Sequence, residues 1–141
     1  MTAPIVLFVY NRPVHTKLTL DALEKNLLAP ESELFVFADG PKRSSNTASL
    51  QKIESTREIV NNIKGFRKVT VFESSVNKGL AASIVAGVTK IVLEFGQVIV
   101  LEDDLITSPF FLKYMNDALE IYKGNSSVSE ISGYVYPLKK R

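Results

Sequence analysis

The sequence predicts an α/β fold: a mostly parallel sheet with helices on both faces. Two observations carry that expectation. Four short runs of continuously apolar, β-branched and aromatic residues are spaced along the chain, and the longer segments between them repeat their apolar residues at helical steps. A third observation is positional. The polar residues with chemistry to offer fall just after those runs, where open parallel sheets bind ligands.

Ile5 to Tyr10 reads as a strand buried on both faces. Leu34 to Ala38 is the second run and Val69 to Phe72 the third. Val98 to Leu101 is the fourth and the most apolar, which places it at the centre of the sheet. One more strand is expected over Val128 to Tyr136. Leu18, Leu20, Leu23, Leu27 and Leu28 mark the apolar face of a helix after Pro13. Leu50, Ile53, Ile59, Val60 and Ile63 mark a second, ended near Gly65. Ile84, Val88, Ile91 and Phe95 recur at steps of four, three and four and stop at Gly96. Ser108-Pro109 reads as an N-cap followed by proline at the first helical position. Phe111, Met115, Ala118, Leu119 and Tyr122 supply that helix with its buried face, and Gly124 its end.

At 141 residues the chain suits one domain, spanning 1–141, and is too short for two ordinary ones. Hydrophobic residues at 45% against 23% charged allow a real core. A net charge of +2 argues against a protein that coats nucleic acid. With no cysteine, disulfides, thiolate metal sites and cysteine nucleophiles are excluded. His15 is the lone histidine, so no histidine cluster can form. No apolar run approaches a membrane span, and Met1 to Tyr10 lacks the features of a signal peptide. The expectation is a soluble cytoplasmic domain, with attachment at the inner face of a membrane left open.

Glu102-Asp103-Asp104, at the end of the fourth run, is the strongest chemical signal. Three adjacent carboxylates repel one another, and a divalent cation would relieve them. Their oxygens suit Mn2+ or Mg2+, which commonly share their remaining positions with water and substrate phosphate. The alternative is a loop start in which two acids face water and one caps the helix ahead. Asp39, in Asp39-Gly40-Pro41, taken alone reads as the closure of an Asx-turn. Arg12, following Asn11, suits either a phosphate contact or a structural ion pair. Asn77-Lys78-Gly79 opens the third helix, where a helix N-terminus favours an anion.

Taken together, these segments resemble the GT-A glycosyltransferases, which move a sugar from a nucleoside diphosphate donor to an acceptor hydroxyl. The anchors are Tyr10-Asn11-Arg12-Pro13, Ala38-Asp39-Gly40, Asn77-Lys78-Gly79-Leu80 and Val100-Leu101-Glu102-Asp103-Asp104-Leu105, in strand order over nearly the whole chain. Glu102 through Pro109-Phe110-Phe111 to Tyr114 is similar to the Golgi N-acetylglucosaminyltransferase I type, and Asn77 to Leu80 to the family-two transferases. The resemblance implies the Rossmann-like, nucleotide-binding half of that fold. It also implies a donor site of Asn11, Arg12, Asp39, Lys78, Glu102 and Asp103, with Asp104 as direct ligand of Mn2+ or Mg2+. In that scheme Asp39 binds the base, Arg12 approaches the diphosphate, Lys78 lies in the segment lining the nucleotide pocket, and Glu102 and Asp103 contact donor sugar and ribose. The implied partners are a nucleoside diphosphate sugar of the uridine type and a saccharide or glycoconjugate acceptor.

In these families the catalytic base lies well downstream of the acidic triplet, yet only 37 residues follow Asp104 and none after Glu130 is acidic. The chain is therefore expected to stop before the acceptor-binding part, with the base beyond Arg141, and to transfer no sugar by itself. A sheet cut there leaves an edge uncovered, which favours a homo-oligomer. A phosphoacceptor domain would carry its acidic pair after the first strand, and a nucleotidyltransferase a glycine-rich loop there. This chain has Asn11-Arg12. A metal- and nucleotide-binding domain without turnover remains the rival reading.

Overall fold

The computed structural model describes residues 2–134. Strand β1 (Ile5–Val9) leads to helix α1 (Pro13–Leu23), a 3-10 turn (Ala29–Glu31), β2 (Glu33–Ala38) and α2 (Thr47–Asn61). Then come β3 (Lys68–Glu73), α3 (Leu80–Phe95), β4 (Ile99–Glu102) and α4 (Phe111–Ile121). The strands form one parallel sheet in the order β3-β2-β1-β4.

Strand alternation sorts the core into two layers. Ile5, Leu7, Val9, Leu34, Val36, Ala38, Ile99 and Leu101 point to one face, where Leu20 and Leu23 of α1, Val60 of α2, and Leu112 and Met115 of α4 cover them. Val6, Phe8 and Phe35 point to the other, which α3 covers with Ile91, Ile84, Val88 and Phe95. Helices thus lie on both faces, as the alternating pattern predicts. Gly96 ends α3 in the left-handed conformation (φ 77°), a position that suits glycine.

The sequence reading needs correction at four places. The Val98–Leu101 run is an edge strand among the described residues, pairing with β1 alone; β1 and β2 are central. Its apolarity serves one face: Ile99 and Leu101 are buried, while Val100 is 40% exposed. The strand expected over Val128–Tyr136 is absent from 128–134, which carry no secondary structure; Val135 and Tyr136 lie outside the described residues. Part of this segment packs all the same, since Ile131 lies against the core and Gly133 against Phe111 and Met115. Helix α1 stops at Leu23, so Leu27 and Leu28 are not on it, and Leu18 is exposed.

The fourth correction is the start of α4. It begins at Phe111, and Ser108 makes no side-chain cap; its carbonyl accepts from the Phe111 N–H in a preceding turn. The cap comes from elsewhere. Buried Asn26 accepts from the Leu112 N–H through Oδ1 (2.9 Å) and donates through Nδ2 to Thr107 Oγ1 and the Ala22 carbonyl.

Gly87 lets α3 lie close to the sheet. A Cβ there would come within 2.9 Å of the Phe8 ring and 3.1 Å of the Phe37 ring, which stack on each other. Alanine gains up to about 1 kcal/mol of helix propensity. Overpacking a filled core costs about 1–3 kcal/mol. Gly87→Ala is therefore expected to lower the unfolding free energy in urea; equal or greater stability would show that the two rings yield.

Candidate functional site

Every loop leaving the carboxyl end of a strand contributes to one cavity. Its volume is about 260 Å3, and its lining includes Asn11, Arg12, Asp39, Glu102 and Asp103. Five of the seven site residues implied by the resemblance thus meet in space. Lys78 and Asp104 stand apart from this lining. The Lys78 side chain borders a neighbouring cleft between β3 and α3, and Asp104 lies exposed on the outer side of the acidic turn.

Arg12 is placed by Pro13, which starts α1 immediately after it. Its Nη1 contacts Asp103 Oδ1 at 3.3 Å and Asp104 Oδ2 at 3.1 Å. The two acids differ in burial: the Asp103 side chain is 10% exposed and that of Asp104 45%. Loss of water pushes the Asp103 carboxyl above its ordinary range, and the Arg12 charge pulls part of that back. The same contacts raise the Arg12 guanidinium, led by the Asp104 hydrogen bond.

Glu102 ends β4 opposite Phe8 and is exposed. The acidic triplet therefore does not close into a three-carboxylate cage; among the described residues, no three of His, Cys, Asp or Glu gather at metal-binding distance. Asp103 and Asp104 share a cation already, and that cation is Arg12.

Asp39 is buried at the end of β2, and its carboxylate faces the segment before α3. Oδ1 accepts from the N–H groups of Gly40 (2.8 Å) and Lys78 (2.9 Å), and Oδ2 from the Gly79 N–H (3.0 Å) and Asn77 Nδ2 (3.0 Å). The bond to Gly40 is the local turn chemistry anticipated from Asp-Gly-Pro, and the other three are long-range. The anion expected at the start of α3 is thus, in part, Asp39 itself.

Several residues of the site escaped the sequence reading. Lys42 and Ser83 line the cavity; so does Asn77, singled out as part of the α3 start but not as the partner of Asp39. Arg57, in the last third of α2, donates to the Ser74 carbonyl (2.6 Å) and the Asp39 carbonyl (3.4 Å) and pairs with Glu73 (3.3 Å). Lys42-Arg43 after Pro41 offered a basic signal beside Asp39. Arg57 offered none, since its partners lie 16 and 17 positions further along the chain and 18 positions back.

No known family profile matches the chain, and no curated protein is significantly similar to it. The fold does have solved counterparts. The structure of S. aureus TarS, a glycosyltransferase, superposes with a TM-score of 0.54 at 20% identity, covering 86% of this chain and 20% of that one. The shorter TarS 1–349 gives the same TM-score and identity and is covered over 33% of its length. The chain thus spans a third or less of each of these two structures. No helix among the described residues is long and apolar enough to cross a membrane.

The opposing influences on Asp103 set a test. A carboxyl with a raised folded pKa destabilises the folded state as pH climbs from the unfolded value through the folded one. Carbon-13 titration should find Asp103 above the ordinary aspartate range, and higher again in Arg12→Gln, where only desolvation and the neighbouring acid remain prominent. Asp103→Asn should remove that loss of stability with rising pH. An Asp103 that titrates lower in Arg12→Gln would show that Arg12 does not hold it.

Proposed function

We propose that this chain is the donor-binding part of a GT-A-type glycosyltransferase. It takes a nucleoside diphosphate sugar, of the uridine type, whose sugar passes to the hydroxyl of a saccharide or glycoconjugate. The observation that carries this reading is the meeting of Asn11, Arg12, Asp39, Glu102 and Asp103 around one cavity, at the carboxyl ends of the strands. The glycosyltransferase-like fold supports it.

The donor atoms suit a divalent cation of the Mg2+ or Mn2+ kind. They are hard carboxylate oxygens, and such ions are commonly held by one or two carboxylates plus water and substrate phosphate. In this reading Asp104 is the ligand, with Asp103 beside it, and a bound cation would supply charge neutralisation for the departing diphosphate. Glu102 and Asp103, on the cavity wall, face donor sugar and ribose. Arg12 stands where its guanidinium can meet a phosphate as a bidentate donor once another cation relieves the acids. Lys78, on the neighbouring cleft, adds positive charge to the nucleotide side.

Uridine diphosphate is accordingly expected to bind more tightly with Mn2+ than without it, because the free site sets two acids and an exposed glutamate against an anionic ligand. Calorimetry in both conditions measures this, and equal affinity would sink the metal bridge. Asp104→Asn should abolish the gain from Mn2+. It should change metal-free stability by less than about 1 kcal/mol, since its pair with Arg12 is half exposed.

A further inference from the structure

An ionised carboxylate offers about four lone-pair positions. In Asp39 the chain itself fills all four: the N–H groups of Gly40, Lys78 and Gly79, and Asn77 Nδ2, at 2.8–3.0 Å. The residue is 9% exposed. Two of those donors, the Lys78 and Gly79 amides, lead directly into α3, which has no side-chain cap of its own. A carboxylate there also meets the positive end of a 16-residue helix.

Contacts around this knot point the same way. Asn77 Nδ2 also donates to the Gly40 carbonyl (3.0 Å), and the Asn77 N–H to that of Pro41 (3.2 Å). A Cβ on Gly40 would come within 2.5–2.6 Å of the Ser74 and Val76 backbone, so the two loops touch main chain to main chain. Arg57 holds the Ser74 carbonyl from behind. By contrast, the side chains of Asn11, Lys42 and Ser83 line the cavity without a hydrogen bond among the described residues.

We propose that Asp39 is a positioning residue: it locks the Ser74–Gly79 loop and the start of α3 against β2, and does not itself contact the nucleobase. This departs from the direct base contact that the family resemblance implies. A base N–H approaching Asp39 would have to displace a donor that the fold already uses. Contact with the base falls to Asn11, Lys42 and Ser83. The lock stands on the geometry alone; its consequence for base preference rests on the nucleotide-binding reading.

Asp39→Asn tests both parts. It keeps the size but puts an NH2 group against backbone N–H donors. The Lys78 and Gly79 amides should then exchange with deuterium about ten- to a hundredfold faster than in the parent protein. With Mn2+ present, affinities for uridine, cytidine and guanosine diphosphates should all fall by a common factor, leaving their ratios unchanged. Unchanged exchange overturns the lock, and altered ratios overturn the indirect role. If the parent protein binds no nucleoside diphosphate, the proposed function fails while exchange still judges the lock. Should Asp39→Asn not fold, Asn77→Ala decides. It removes one donor and leaves the carboxylate, and it should show the same faster exchange and constant ratios to a smaller degree.

Discussion

The buried carboxylate of Asp39 is the constraint on which the cavity end of this protein depends. Parallel strands deliver several loops to one end of the sheet, and the helices that follow begin there with unpaired N–H groups. Leaving such a donor unsatisfied in the interior costs about 1–3 kcal/mol. The chain meets this demand with remote side chains. Asp39 serves the approach to α3 and Asn26 the start of α4. Each ties the beginning of a helix to an earlier part of the chain.

Charge at the other side of the cavity is arranged differently. Asp103 is buried and Asp104 is not, yet both lean on one nitrogen of Arg12. The guanidinium is itself half exposed, so neither contact resembles a deeply buried ion pair that would be costly to break. Asp39 is held by four donors and has little freedom to respond to a ligand. Arg12 and Asp104, by contrast, are each about half exposed. One side of the cavity is a saturated carboxylate and the other a solvent-accessible charge cluster.

Much of this was legible in the sequence, for identifiable reasons. A continuous apolar run signals a strand, and the steps of four, three and four between Ile84 and Phe95 signal α3, because each follows from backbone geometry. The clustering of Asn11, Arg12, Asp39, Glu102 and Asp103 was legible through topology: parallel strands deliver their carboxyl ends to one place. The central placement of Val98–Leu101 was not, since hydrophobicity does not tell a central strand from an edge strand with one covered face. Nor was the α4 cap. Ser108 has the right local pattern, but Asn26, far earlier in the chain, takes the role. The bonds of Arg57 and Asn77 escaped for the same reason, because side-chain reach across elements leaves no periodic trace.

The half-covered state of β4 also explains why its acids behave unequally. Ile99 and Leu101 face the helices while Val100 is largely open, and pairing with β1 sets Ile5 beside Ile99 and Phe8 beside Glu102. A slip of one residue would turn Ile99 and Leu101 outward and carry Glu102 into the core, so the apolar alternation holds the register firmly. The same alternation leaves Glu102 exposed and turns Asp103 inward, next to Arg12. The perturbed carboxyl at the mouth of the cavity is thus a consequence of strand register. Buried Ile99 and Leu101, which hold β4 in register, thereby bear on which acid loses its water.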